Sequence, residues 1–104
     1  MAGFVYVMSN PAFPNLLKIG KSDRDPTVYI KKELETDGVP EPFSVEYYAF
    51  VIDPHQIEKQ VHSYLKKQKK NKNRNFFQCS VFEAINIIKK FAKQTTKYEE
   101  YLTT

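Results

Sequence analysis

The chain has 104 residues, 41% hydrophobic and 27% charged, enough for one domain with a real core and too few for two. Lys plus Arg number 16 against 12 Asp plus Glu, and the resulting +4 charge leans weakly towards a polyanionic partner. The lone cysteine, Cys79, excludes an internal disulfide and a zinc motif, and no apolar run approaches the roughly 18 residues of a membrane span.

Residues 3–8 (GFVYVM) are rich in Val, Phe and Tyr and predict a strand, ended by Asn10-Pro11. The prolines and asparagines of 9–15 predict a loop, and 16–20 (LLKIG) a second short strand. Two strands so closely joined are expected to pair antiparallel. Asp25-Pro26 carries a helix-start signal, a capping carboxylate followed by a proline that loses no needed donor. The helix is expected to run through Leu34 and stop before Gly38.

Residues 44–52 (SVEYYAFVI) are apolar on both alternating faces, which predicts a strand with neighbours on either side. Asp53-Pro54 repeats the cap signal, and Ile57, Val61, Tyr64 and Leu65 then recur at helical spacing. A basic loop follows over 66–75, with Lys66, Lys67, Lys69, Lys70, Lys72 and Arg74. Such a run is a solvated surface or a phosphate contact. Residues 76–79 (FFQC) predict a short strand with Cys79 as a small buried residue. Ser80 and Glu83 have the spacing of a capping box, opening a last helix expected to bury Phe82, Ile85, Ile88 and Ala92. The order is β-β-α-β-α-β-α, an α+β fold with a small mixed or antiparallel sheet. The domain is expected over 1–94, with 95–104 a polar tail or helix extension.

Phe4-Val5-Tyr6, then Lys18-Ile19-Gly20, then a helix, then Glu58 on a later helix resembles the GIY-YIG endonuclease superfamily. The similar branch is the small phage T5 open-reading-frame type, which carries KIG in place of YIG. The stretches VYV, LLKIGKS, GVPEPFSVEYYAFV, IEKQVHSYL and NKNRNFF carry the resemblance over roughly residues 3–80. It implies a mixed sheet flanked by helices and metal-dependent hydrolysis of DNA. One Mg²⁺ (or Mn²⁺) is implied per site.

By the same resemblance Tyr6 stands near the attacking water, Lys18 replaces the second motif's tyrosine, Gly20 lets backbone approach, and Glu58 binds the metal. A single carboxylate suffices in principle, because Mg²⁺ keeps several waters. His62 lies four residues after Glu58 on the same helical face and can orient water or contact phosphate. Lys31, Lys69, Lys70, Lys72, Asn73 and Arg74 are the candidate DNA contacts. The family also places an arginine in its first helix, and Tyr29-Ile30-Lys31-Lys32-Glu33-Leu34 contains none. Counting forward from Asp25-Pro26 puts its place at Tyr29, and counting back from Glu33-Leu34 puts it at Ile30. Lys31 or Lys32 is the available substitute, though a point charge does not reproduce a bidentate guanidinium. The expected partner is DNA, with no membrane, and the expected location cytoplasmic or nucleoid-associated. The competing readings are a binding module on the same scaffold that has lost catalysis, and a protein-interaction domain with a merely solubilising loop.

Overall fold

The computed structural model describes residues 2–30, 41–71, 75–93 and 96–102. Alternating Val and aromatic side chains set the first strand, β1 (Gly3–Ser9), and the buried Leu17 and Ile19 set the second, β2 (Leu17–Ser22), which runs two residues past the expected end at Gly20. The two pair antiparallel, with Tyr6 opposite Gly20 and Met8 opposite Lys18. β3 (Ser44–Val51) lies on the other side of β1. It is flanked by two strands, as its two apolar faces predict.

Asp53 caps α1 (Pro54–Tyr64), its side chain accepting from the Gln56 N–H at 3.1 Å. Ser80 does the same for α2 (Val81–Ala92) through the Glu83 N–H at 3.0 Å. β4 (Lys69–Asn71) and β5 (Phe76–Phe77) complete one end of the sheet, and β6 (Thr96–Tyr101) the other. The order is β4-β5-β2-β1-β3-β6, and every pairing among the described residues is antiparallel. The chain is therefore a small α+β fold whose sheet is antiparallel rather than mixed.

Pleating sorts the side chains into two cores. Val5, Val7, Leu17, Ile19, Tyr47, Ala49, Val51 and Phe77 face α1 and α2 and bury Ile57, Val61, Leu65, Ile85 and Ile88. On the opposite face Tyr6, Met8, Phe43, Tyr48 and Phe76 form a second, aromatic cluster. No helix among the described residues is long and apolar enough to cross a membrane.

Five expectations change. Residues 96–101, expected as tail or helix extension, form a strand: hydrogen bonding to β3 satisfies backbone that a polar tail leaves to water. The basic segment is not all loop, because Lys66–Gln68 make a 3₁₀ turn and Lys69–Asn71 pair with β5. Phe82 is 75% exposed. Ala84, Ile85, Ile87, Ile88 and Ala92 set the buried stripe of α2, and Phe82 sits outside it by helical phase. Tyr64 is 55% exposed, on the flank of its helix rather than the buried stripe of Ile57 and Val61. Cys79 is half-buried and follows the strand, which ends at Phe77. Burial pushes its thiol up to about 11, with the Glu83 charge adding to the effect, so it stays protonated near neutrality.

The first predicted helix starts at its expected capping residue, with Asp25 Oδ1 accepting from the Thr27 N–H at 2.8 Å and from the Thr27 hydroxyl at 2.6 Å. The turn that follows, Pro26–Ile30, is a π-helix. A π-turn closes its hydrogen bonds one residue further along than an α-turn. It therefore accommodates one residue beyond the α-helical count, the same difference by which the two counts to the missing arginine disagree. The rest of that predicted helix, Lys31 and Lys32 included, lies outside the described residues.

Candidate functional site

Cross-strand pairing places Tyr6 directly beside Gly20. The two approach closely: a Cβ on Gly20 would sit 2.5 Å from the Tyr6 hydroxyl oxygen and 2.8 Å from Cζ. Only a residue without a side chain lets the tyrosine ring lie flat across β2 here. Tyr6 is buried, held in the aromatic cluster of the face opposite the helices. Lys18, two residues before Gly20, projects from the same face. Its Nζ stands 5.5 Å from the centroid of the Phe76 ring, a cation–π distance that fixes the ammonium near the strand edge. Sequence order and pleat thus bring Tyr6, Lys18 and Gly20 together.

Glu58 and His62 come from the other side. Both are half-buried on α1, which packs against the opposite face of β1 and β2 through Ile57 and Val61. The outer edge of β2 is where the two sides meet. β5 pairs only with Leu17 and Lys18, so from Gly20 onward that edge has no strand partner among the described residues. The Ile19 N–H donates to the Asn75 carbonyl at 3.2 Å, across the last turn before β5. Asn75 makes that turn in the left-handed region, at φ 58°. The Ile19 carbonyl then accepts from His62 Nε2 at 2.8 Å. The imidazole also packs against Phe77, with ring centroids 4.9 Å apart.

A carbonyl can only accept, so Nε2 carries the proton in this bond and a neutral ring leaves Nδ1 for any other interaction. His62 is therefore a clamp between α1 and the edge of β2, with Glu58 one helical turn before it. Of the six candidate DNA contacts, the side chain of Lys69 is described, half-buried in β4, and Lys70 is described in its backbone alone. Lys31, Lys72, Asn73 and Arg74 lie outside the described residues.

No group of three or more His, Cys, Asp or Glu side chains among the described residues is arranged to hold a metal ion. A hydrated Mg²⁺ does not need one, and the half-buried Glu58, one helical turn before the His62 that reaches the edge of β2, fits its preference for one or two protein ligands among waters. Next to that edge, a groove of about 520 Å³ runs between the end of β2 and the start of α1, lined by Lys21, Ser22, Asp23, Asp53 and His55. Lys21 falls inside the LLKIGKS stretch but is not singled out there, and His55 belongs to no motif. Strand alternation, which puts Lys21 on the helix side of β2 and opposite to Lys18 and Gly20, is the signal that points to the former.

A family model for the T5orf172 domain matches residues 3–92. No curated protein and no solved structure matches the chain.

Proposed function

The chain belongs to the T5orf172 domain family, and from that premise we propose that it hydrolyses DNA phosphodiester bonds with one Mg²⁺ or Mn²⁺ per site, in the manner of the GIY-YIG nucleases it resembles. The observation that carries this reading is the convergence on β2: Tyr6 lies over Gly20 on one face, and His62 grips the Ile19 carbonyl from the other. Phosphodiester hydrolysis needs a positioned water, charge neutralisation at the phosphate and a stabilised leaving oxygen. In this reading Glu58 holds the cation, which supplies the last two. The phenol of Tyr6 orients water at the phosphate, and Gly20, expected to let backbone approach, instead leaves the space in which that phenol lies. Lys18, steadied over Phe76, adds fixed positive charge that is already in place when the transition state forms. His62 keeps α1, and hence Glu58, at the strand edge.

The test is conversion of supercoiled plasmid to nicked or linear form, with Mg²⁺ or with chelator. Wild type is expected to cut only with the cation, and Glu58→Gln is expected to fold but not to cut. Undiminished cleavage by Glu58→Gln, or by wild type in excess chelator, removes the assignment. A second reading is a DNA-binding module without catalysis, and the π-turn Pro26–Ile30 favours it. That turn stands where the expected helix begins, and Tyr29-Ile30-Lys31-Lys32-Glu33-Leu34 carries no arginine. DNA binding with no cutting under either cation would select this second reading.

A further inference from the structure

The C-terminal ends of α1 and α2 converge with β6 on a surface that the cleavage reading does not use. Tyr64 and Phe91 meet edge to face, with ring centroids 6.0 Å apart. Lys90 Nζ stands 4.9 Å from the centroid of Tyr64 and 5.7 Å from that of Phe91. Lys89 Nζ donates to the Tyr101 hydroxyl at 2.6 Å and lies 5.2 Å from the same ring's centroid. Lys89, Lys90 and Lys93 line a groove of about 380 Å³ with Glu99. The Glu99 carboxylate is already engaged, accepting from the Tyr47 hydroxyl at 2.6 Å and from the Tyr101 hydroxyl at 3.2 Å. The groove thus carries three cations and one acidic group whose two oxygens are both taken.

The patch and the strand-edge site are on different sides of α1. Tyr64 follows His62 by two residues and Glu58 by six, which at 100° per residue sets it about 160° and 120° away around the helix. His62 faces β2 and Phe77, while Tyr64 faces α2. A helix end favours lysine for its dipole alone. That preference does not call for two ammoniums steadied over aromatic rings. A lysine already held in place gives up less side-chain freedom when it meets a phosphate.

We propose that Lys89, Lys90 and Lys93, with Tyr64 and Tyr101 positioning two of them, form a second binding surface for a nucleic-acid backbone, separate from the Glu58 edge. The proposal rests on the reading that DNA is the partner. Phosphate charge complements the three lysines, and the exposed rings of Tyr64 and Tyr101 add surface for the sugars of the backbone. This surface anchors the duplex without touching the scissile bond.

The experiment is fluorescence anisotropy of the full chain with a labelled duplex over a series of salt concentrations. Lys89→Gln/Lys90→Gln/Lys93→Gln is expected to bind more weakly, and its log–log salt slope to flatten by roughly 0.9 for each phosphate no longer neutralised. Lys90→Arg is expected to hold the wild-type slope. Lys59→Gln removes the same charge from an exposed place outside the patch and is expected to change the slope less than Lys90→Gln. An unchanged slope in the triple variant, or equal effects of Lys59→Gln and Lys90→Gln, overturns the proposal. Retained Glu58-dependent cleavage in that case leaves the cleavage reading standing. Wild type that neither binds nor cuts DNA overturns both.

Discussion

Gly20 is held to glycine by its neighbour across the sheet. Its missing side chain is the space that the Tyr6 hydroxyl occupies, and a 2.5 Å approach would force one of the two to move. Tyr6 is only 5% exposed, so its ring has little room to retreat. Gly20→Ala is therefore expected to displace the phenol and lower cleavage at least tenfold, while DNA affinity stays within a few-fold of wild type. The tenfold figure corresponds to about 1.4 kcal/mol in the barrier. Parallel cleavage and binding assays check this, and wild-type cleavage by Gly20→Ala would show that the position of Tyr6 is irrelevant. Cys79 is the opposite case: with its thiol held protonated near neutrality, its half-buried side chain packs against the main core and supplies no nucleophile.

Among the elements, β6 is attached by side chains as well as by backbone pairing. The Tyr47 side chain is fully buried under it, and its phenol ends on Glu99 of the neighbouring strand. Burial, with the Glu99 carboxylate as acceptor, pushes the Tyr47 phenol far above its usual range, so it stays a donor at any ordinary pH. The two partners are not equivalent. Glu99→Ala leaves a buried hydroxyl without an acceptor and is expected to cost about 1–3 kcal/mol. Tyr47→Phe leaves a half-exposed carboxylate that water can solvate, and about 0.5–1.5 kcal/mol is expected. Urea unfolding of the two variants measures both, and the reverse order would mean that the bond does not anchor β6. Tyr47 also packs against Tyr101 at 5.0 Å between ring centroids, so the strand is held by aromatic packing besides the hydrogen bond.

At the scale of the whole molecule, the sheet separates two kinds of surface. The helical face carries the main core and, at its far flank, the lysines of α2. The opposite face carries the aromatic cluster with Tyr6, and the strand edge near Gly20 is where the faces communicate through His62. The basic segment after α1 begins beside this edge, since β4 is joined to β2 through β5. Neutralising Lys69, Lys70 and Lys72 together is expected to weaken DNA binding and flatten its salt dependence by roughly 0.9 per phosphate left without a cation. The effect is expected to add to that of the Lys89, Lys90 and Lys93 variant, because β4 and β6 lie at opposite ends of the sheet and distant sites are close to additive. An unchanged salt slope would reduce the segment to a solvated surface.

Local chemistry determined most of the elements. Asp53 and Ser80 announced the starts of α1 and α2, alternating Val and aromatic residues located β1 and β3, and the short connection between GFVYVM and LLKIG announced an antiparallel pair. These features depend on neighbours in the chain, so the chain order reveals them. Tertiary structure decided the rest. Thr96–Tyr101 is polar and becomes a strand only because β3 offers it an unpaired edge and Tyr47 a hydrogen-bond donor. Tyr64 and Phe82 occupy plausible apolar positions, but the position of the neighbouring core set the phase of each helix and left both exposed. The role of His62 depended on a carbonyl 43 positions away, at the open edge of β2. The lysine cluster brings together α2 and the ends of α1 and β6, three segments that meet only once the sheet has formed. A helix period or a strand alternation records what one segment can bury; which strand edge stays open, and what crosses it, is settled by interactions between segments far apart in the chain.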